Sequence, residues 1–149
     1  MLWFDFIAYA VLLGMFILAT RVRPLERITL RFGDEQLTGV VLMCPYHLSS
    51  RVGLLNTPRL AVGDGLFLCG VKSVHTKGMH FPIDLVFLDE AMRILEMKFS
   101  VEPGAPKISG PKGTRSTLEL GQGTLALLSE NISNYSKVQI ISTHKSPSL

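Results

Sequence analysis

Charge is scarce in this chain of 149 residues. Charged side chains make up 18% of it, against 47% hydrophobic ones. The basic surplus is only +3, from 15 Lys and Arg against 12 Asp and Glu. That is too small a surplus to argue for a nucleic-acid partner, whose phosphates call for a dense basic footprint. Cysteine is almost missing. Cys44 and Cys69 allow one disulfide without requiring it, and each lies in an apolar stretch where a thiol serves as a small buried hydrophobe. There is no Cys-x-x-Cys or His-x-x-x-His pattern. His75 and His80 are five apart, which puts them on opposite faces of a continuous strand, so no metal site is expected. Gly63-Asp64-Gly65 and Gly121-Gln122-Gly123 lack the Lys-Ser/Thr that completes a phosphate loop, and no cofactor is expected. Ser49 and Ser50 have no nucleophile-elbow context. Cys69 could pair with His75 on paper, but nothing near it would lower its pKa. No internal repeat is visible.

Apolar residues are concentrated at the start. Residues 6–20, FIAYAVLLGMFILAT, carry no charge, and Asp5 is the one break back to Met1. About 20 residues of helix span a hydrocarbon core, and Trp3 and Tyr9 suit the headgroup level. A cleaved signal peptide would need a basic start, and none exists before Arg21, and a small-x-small cleavage site, which is absent from Ile17-Leu18-Ala19-Thr20-Arg21 at the end of the run. A buried soluble helix would show polar positions at helical spacing. The expectation is a transmembrane anchor over residues 1–22. Arg21, Arg23, Arg27 and Arg31 follow it, which predicts a cytoplasmic domain on a bacterial inner membrane. The periplasmic orientation is the alternative.

After the anchor, residues 23–36 read as a juxtamembrane segment and first strand, 37–142 as one β domain, and 143–149 as a flexible polar tail. Glu26 to Phe32 alternates apolar and polar residues, the period of a half-buried strand. Gly33-Asp34 turns the chain, and Gln36 to Cys44 returns as the other arm of a hairpin. Leu66 to Cys69 is a short apolar strand, with Val71 to Thr76 extended after it. Phe81 to Leu88 and Met92 to Phe99 form a second hairpin, in which Ile94 interrupts an otherwise polar face. Residues 102–113, EPGAPKISGPKG, hold three Pro and three Gly, and read as a long surface loop with no regular element. Thr114 to Leu120 is a strand, Thr124 to Ile132 a short helix, and Lys137 to Ile141 the last strand. The fold class expected is mostly β (α+β): a compact antiparallel barrel or sandwich-like domain with one or two short helices, preceded by one transmembrane helix.

The run from His75 to Asp89, HTKGMHFPIDLVFLD, resembles the central signature of the domain of unknown function 192 family. Arg51-Val52-Gly53-Leu54-Leu55, Gly63-Asp64-Gly65-Leu66-Phe67 and Leu118-Glu119-Leu120-Gly121-Gln122-Gly123 resemble three further family segments in the right order. The likeness covers about residues 37–141. It departs from the common form, which has a Trp-Met pair in the turn. Here Val74-His75-Thr76 leads and Met79 follows, as in a His-Thr-bearing subset. The resemblance implies a β-rich, barrel-like domain, often exported or membrane-linked and sometimes encoded near pilus or secretion genes. No activity is established for the family.

Within those segments, Asp84 lies between Ile83 and Leu85 and shares a strand face with Val86 and Leu88. A carboxylate there must be paired or hydrogen-bonded, or its pKa rises. It is either an acid, base or ligand hook in a pocket, or an anchor for the turn from Thr76 to Met79. Glu119, between Leu118 and Leu120, points away from their face. It is either exposed or set beside Asp84 or Arg51 in a polar cleft. Gly121 and Gly123 either admit a close-approaching ligand or relieve turns. The leading expectation is a membrane-tethered, non-catalytic module holding a small ligand or a protein partner. Its groove would lie between loop 102–113, turn 75–80 and the Arg51 region, with Arg51, His75, Thr76, Met79, Asp84 and Glu119 as binding residues. The alternative is a hydrolase or lyase in which Asp84 is the acid or base, Glu119 its counterpart and His75 a polariser. A third reading is a structural part of an envelope machine.

Overall fold

The structure, a computed structural model, describes residues 26–44, 54, 59–128 and 132–144. The expected anchor, and Arg51, lie outside the described residues. No described helix is long and apolar enough to cross a membrane.

Ten strands and one short helix make up the described chain. β1 (Glu26–Phe32) pairs with β2 (Glu35–Gln36) at its far end and with β3 (Val41–Cys44) at its start. The expected second arm is therefore broken in two. Gly39 sits in the break, where an added Cβ would lie 2.0 Å from the Gly63 carbonyl oxygen. A side chain there would collide with backbone, and the ladder gives way to this crossing. β3 then pairs in parallel with β4 (Gly65–Leu68), because the chain crosses over between them. β6 (Ile83–Leu88) and β7 (Ile94–Val101) form the second hairpin, and β9 (Ser116–Gly121) inserts between β4 and β6. The main sheet runs β10-β1-β3-β4-β9-β6-β7, with β10 spanning Val138–His144. Thr143 and His144, expected in a loose tail, pair with Ile28 and Arg27.

The sheet curls until its two edge strands meet at one end. Arg93 bridges to Lys137, the Ile94 N–H donates to the Ser136 carbonyl, and the Val138 N–H donates to the Met92 carbonyl. The result is a half-barrel, mostly β, with one short helix α1 (Thr124–Leu128).

Two apolar clusters lie on opposite faces of the sheet. Leu30, Phe32, Phe67, Val86, Leu88, Leu118 and Leu120 fill the inner face and receive Leu125 and Leu128 of α1. Leu66, Leu68, Ile83, Leu85 and Phe87 line the outer face. Both faces of β6 are therefore covered, which explains its apolar run from Leu85 to Leu88. A two-stranded ribbon, β5 (Ser73–Val74) against β8 (Ile108–Ser109), covers the outer face. The Pro- and Gly-rich stretch thus contains a strand that composition hid. β7 explains the odd placement of Ile94. A register shift between Phe87 and Leu88 leaves Leu95 without an opposite residue, so Ile94 and Met97, three apart, both turn inward.

Candidate functional site

The register between β6 and β9 decides how the two candidate carboxylates relate. Asp84 faces Leu120 across the ladder, and Glu119 faces Leu85. Side chains alternate along a strand, so Asp84 joins the inner face with Val86 while Glu119 joins the outer face with Leu85 and Leu66. The two are neighbours in the sheet but do not converge on one space.

Asp84 is 1% exposed, and main-chain donors take both of its oxygens. Oδ1 accepts from the Ser100 N–H at 2.8 Å, and Oδ2 accepts from the Leu125 N–H at 2.9 Å. Ser100 stands in a second bulge of β7 with φ +48°, a conformation that costs a non-glycine residue energy. Leu125 is in the first turn of α1, where the backbone N–H has no intrahelical acceptor. Asp84 therefore anchors the strained bulge and the start of the helix. The sequence pointed to the turn from Thr76 to Met79 as its partner. Thr76 holds that segment instead: its hydroxyl donates to the Glu102 carbonyl at 2.8 Å and accepts from the Ala105 N–H at 3.0 Å.

Glu119 is the opposite case. It is 5% exposed rather than an open strand carboxylate, and Oε2 has no hydrogen-bond partner among the described residues. Desolvation between leucines raises its pKa from 4.5 to about 7. A carboxyl in this state divides between protonated and charged forms near neutrality, so it can donate or accept.

The outer-face cover brings further candidates to Glu119's side. Val74 and Met79 pack in the same apolar cluster as Leu66 and Leu85, and His75 is carried between them. His75 is half-buried, and its Nδ1 is a second buried atom with no hydrogen-bond partner among the described residues. Thr76 is wholly buried, and Met79 is buried. His75, Thr76, Met79 and Glu119 thus belong to one side of the sheet, and Asp84 to the other. Gly121 is occupied by the chain itself, since an added Cβ would lie 2.0 Å from the Ala61 carbonyl oxygen. Gly123, with φ +87°, relieves a turn. Cys44 and Cys69 are not joined by a disulfide, and burial pushes the Cys69 thiol upward in pKa. Among the described residues no three His, Cys, Asp or Glu side chains group as metal ligands do.

One feature escaped the sequence. The β5–β8 pairing brings Lys72 beside Lys107, Lys112 and Arg115, around an open groove of about 470 Å³ that Ser73 and Thr114 also line. No acidic side chain lines it. Lys107 and Lys112 lie within the Pro- and Gly-rich loop and Arg115 just after it, visible there as scattered charge. Lys72 comes from 35 residues before Lys107 and needed the ribbon to join them.

A curled half-barrel with one buried, unpartnered carboxyl on its covered outer face is the class of domain these observations define. The chain matches DUF192, a family described as "Uncharacterized ACR", over residues 38–140, and it belongs to that family. Two crystal structures share the fold. One is of a "putative transcription regulator" from Sinorhizobium meliloti 1021, with TM-score 0.61 and 20% identity over 77% of this chain and 92% of that one. The other is of a protein of unknown function from Novosphingobium aromaticivorans DSM 12444, with TM-score 0.60 and 17% identity over 76% and 83%. At these identities the likeness concerns the fold alone. No curated protein matches the chain.

Proposed function

We propose that this DUF192 protein is a membrane-tethered, non-catalytic module that holds a small ligand or a segment of a protein partner against Glu119. The observation that carries the reading is the Oε2 atom of Glu119, buried and without a hydrogen-bond partner among the described residues. An unmet acceptor in an apolar setting is costly, and a bound group that donates a hydrogen bond would offset that cost. His75, with its own unpartnered Nδ1, is the natural second contact. The His75-Thr76 form of the turn would then be the recognition form of this chain.

The enzyme reading needs Asp84, Glu119 and His75 around one reacting atom. The alternation of β6 and β9 favours binding over that arrangement, because Asp84 is committed to backbone donors on the other face. The tether is supported by the uncharged apolar run at residues 6–20 and the arginines after it. On that reading the protein is a single-pass component of a bacterial inner membrane with its domain in the cytoplasm, serving an envelope, pilus or secretion assembly.

Crosslinking in native membranes, followed by purification in detergent and mass spectrometry, tests this. Wild-type chain should retain a specific small molecule or protein, and folded Glu119→Leu and His75→Ala chains, which lack those polar atoms, should lose it. Equal recovery from all three, or catalytic turnover that depends on Glu119, contradicts the proposal.

A further inference from the structure

We infer that the groove between β5 and residues 107–115 is a docking surface for the phosphates of an anionic lipid bilayer. The inference rests on the tether just proposed.

The groove is built for negative charge. Lys72, Lys107, Lys112 and Arg115 surround it, and none pairs with a carboxylate among the described residues. The two ion pairs described are Arg93 with Asp89 and Lys98 with Glu96. Asp89 and Glu90 line an adjoining groove that shares Arg115, but Asp89 is already held by Arg93 at 2.7 Å. Four cations at one concavity outnumber Glu90, the remaining carboxylate beside Arg115, and repel each other, and an anionic surface relieves that repulsion.

The topology says which anionic surface. Glu26 opens β1 and pairs with Met43 near the end of β3, and Met43 pairs with Phe67 near the end of β4. Phe67 in turn pairs with Leu118, near the start of β9. The chain therefore enters β1 at the end of the sheet where β4 stops and β9 starts. The groove is built from what lies just beyond those two points: Lys72 follows β4, and Arg115 precedes β9. Five residues separate Thr20, the last of the apolar run, from Glu26. Fully extended, those residues reach about 20 Å at most, so this end of the domain cannot stray far from the bilayer. Each cation near an anionic membrane strengthens attachment about fivefold, and the effect fades within a Debye length.

The test uses the full chain in lipid nanodiscs made of phosphatidylcholine alone or with about one third phosphatidylglycerol. Acetylation rates of individual lysines are read by mass spectrometry, with exposed Lys77, which does not line the groove, as the reference. On the anionic discs, Lys72, Lys107 and Lys112 should react at least about fivefold more slowly. The reference should not change, and about 1 M salt should abolish the difference. Equal rates on the two discs, in chain that stays with the disc, overturn the docking surface alone. Protection on neutral discs by millimolar inorganic phosphate, without a phosphatidylglycerol effect, identifies a small-anion site and overturns it too. A chain that leaves the disc overturns the tether, and the inference falls with it.

Discussion

Asp84 and Glu119 occupy adjacent register positions on β6 and β9 and project to opposite faces of the sheet. One is saturated by backbone donors, and the other is buried with an unmet acceptor. The contrast separates architecture from candidate function in two residues that look alike in the sequence.

Replacing Asp84 should damage the fold before anything else. Asp84→Ala leaves the buried Leu125 N–H without its acceptor and takes the acceptor from the Ser100 N–H that holds the bulge. The expected loss is about 3–5 kcal/mol, read from urea unfolding in detergent. A variant as stable as wild type would show that the carboxylate is not an anchor.

Glu119 should make stability depend on pH in the direction opposite to that of a salt-bridged carboxylate. Its pKa is higher folded than unfolded, so between pH 4.5 and about 7 the native state binds the extra proton. Stability is then greatest below 4.5, declines as pH rises through this window, and is lower by about 3 kcal/mol above it. Glu119→Gln should flatten this part of the profile and be the more stable protein at pH 8. Unfolding curves of the two chains across the window check it.

Thr76 should act as a clasp between the turn and the Pro- and Gly-rich segment. Thr76→Val keeps shape and removes both side-chain hydrogen bonds. A loss of about 1–2 kcal/mol is expected, with faster hydrogen exchange at the Ala105 amide and little change at Leu118 in the core.

Much of this fold was legible. The alternation of Glu26 to Phe32 and the apolar run up to Leu88 announced strands, and the ordered family segments announced the domain. What stayed hidden was tertiary. The break at Gly39 comes from a carbonyl 24 residues away, and β8 exists because Lys72 and Ser73 meet Gly110 and Ser109. Alternation placed Glu119 on the face opposite Leu118 correctly, but strand periodicity does not reveal that this face is also covered. The same gap concealed the basic groove, since Lys72 reaches the other three cations only through the ribbon.

Site-resolved carbon NMR of the Glu119 side-chain carboxyl, followed through a pH titration of the intact chain in detergent, tests the central claim most directly. A midpoint near 7, moving when a bound ligand or partner is added, is the result expected from a buried carboxyl awaiting a hydrogen-bond donor. A midpoint near 4.5, unmoved by anything that binds, would mean that Glu119 is solvated or already satisfied, and would contradict the account.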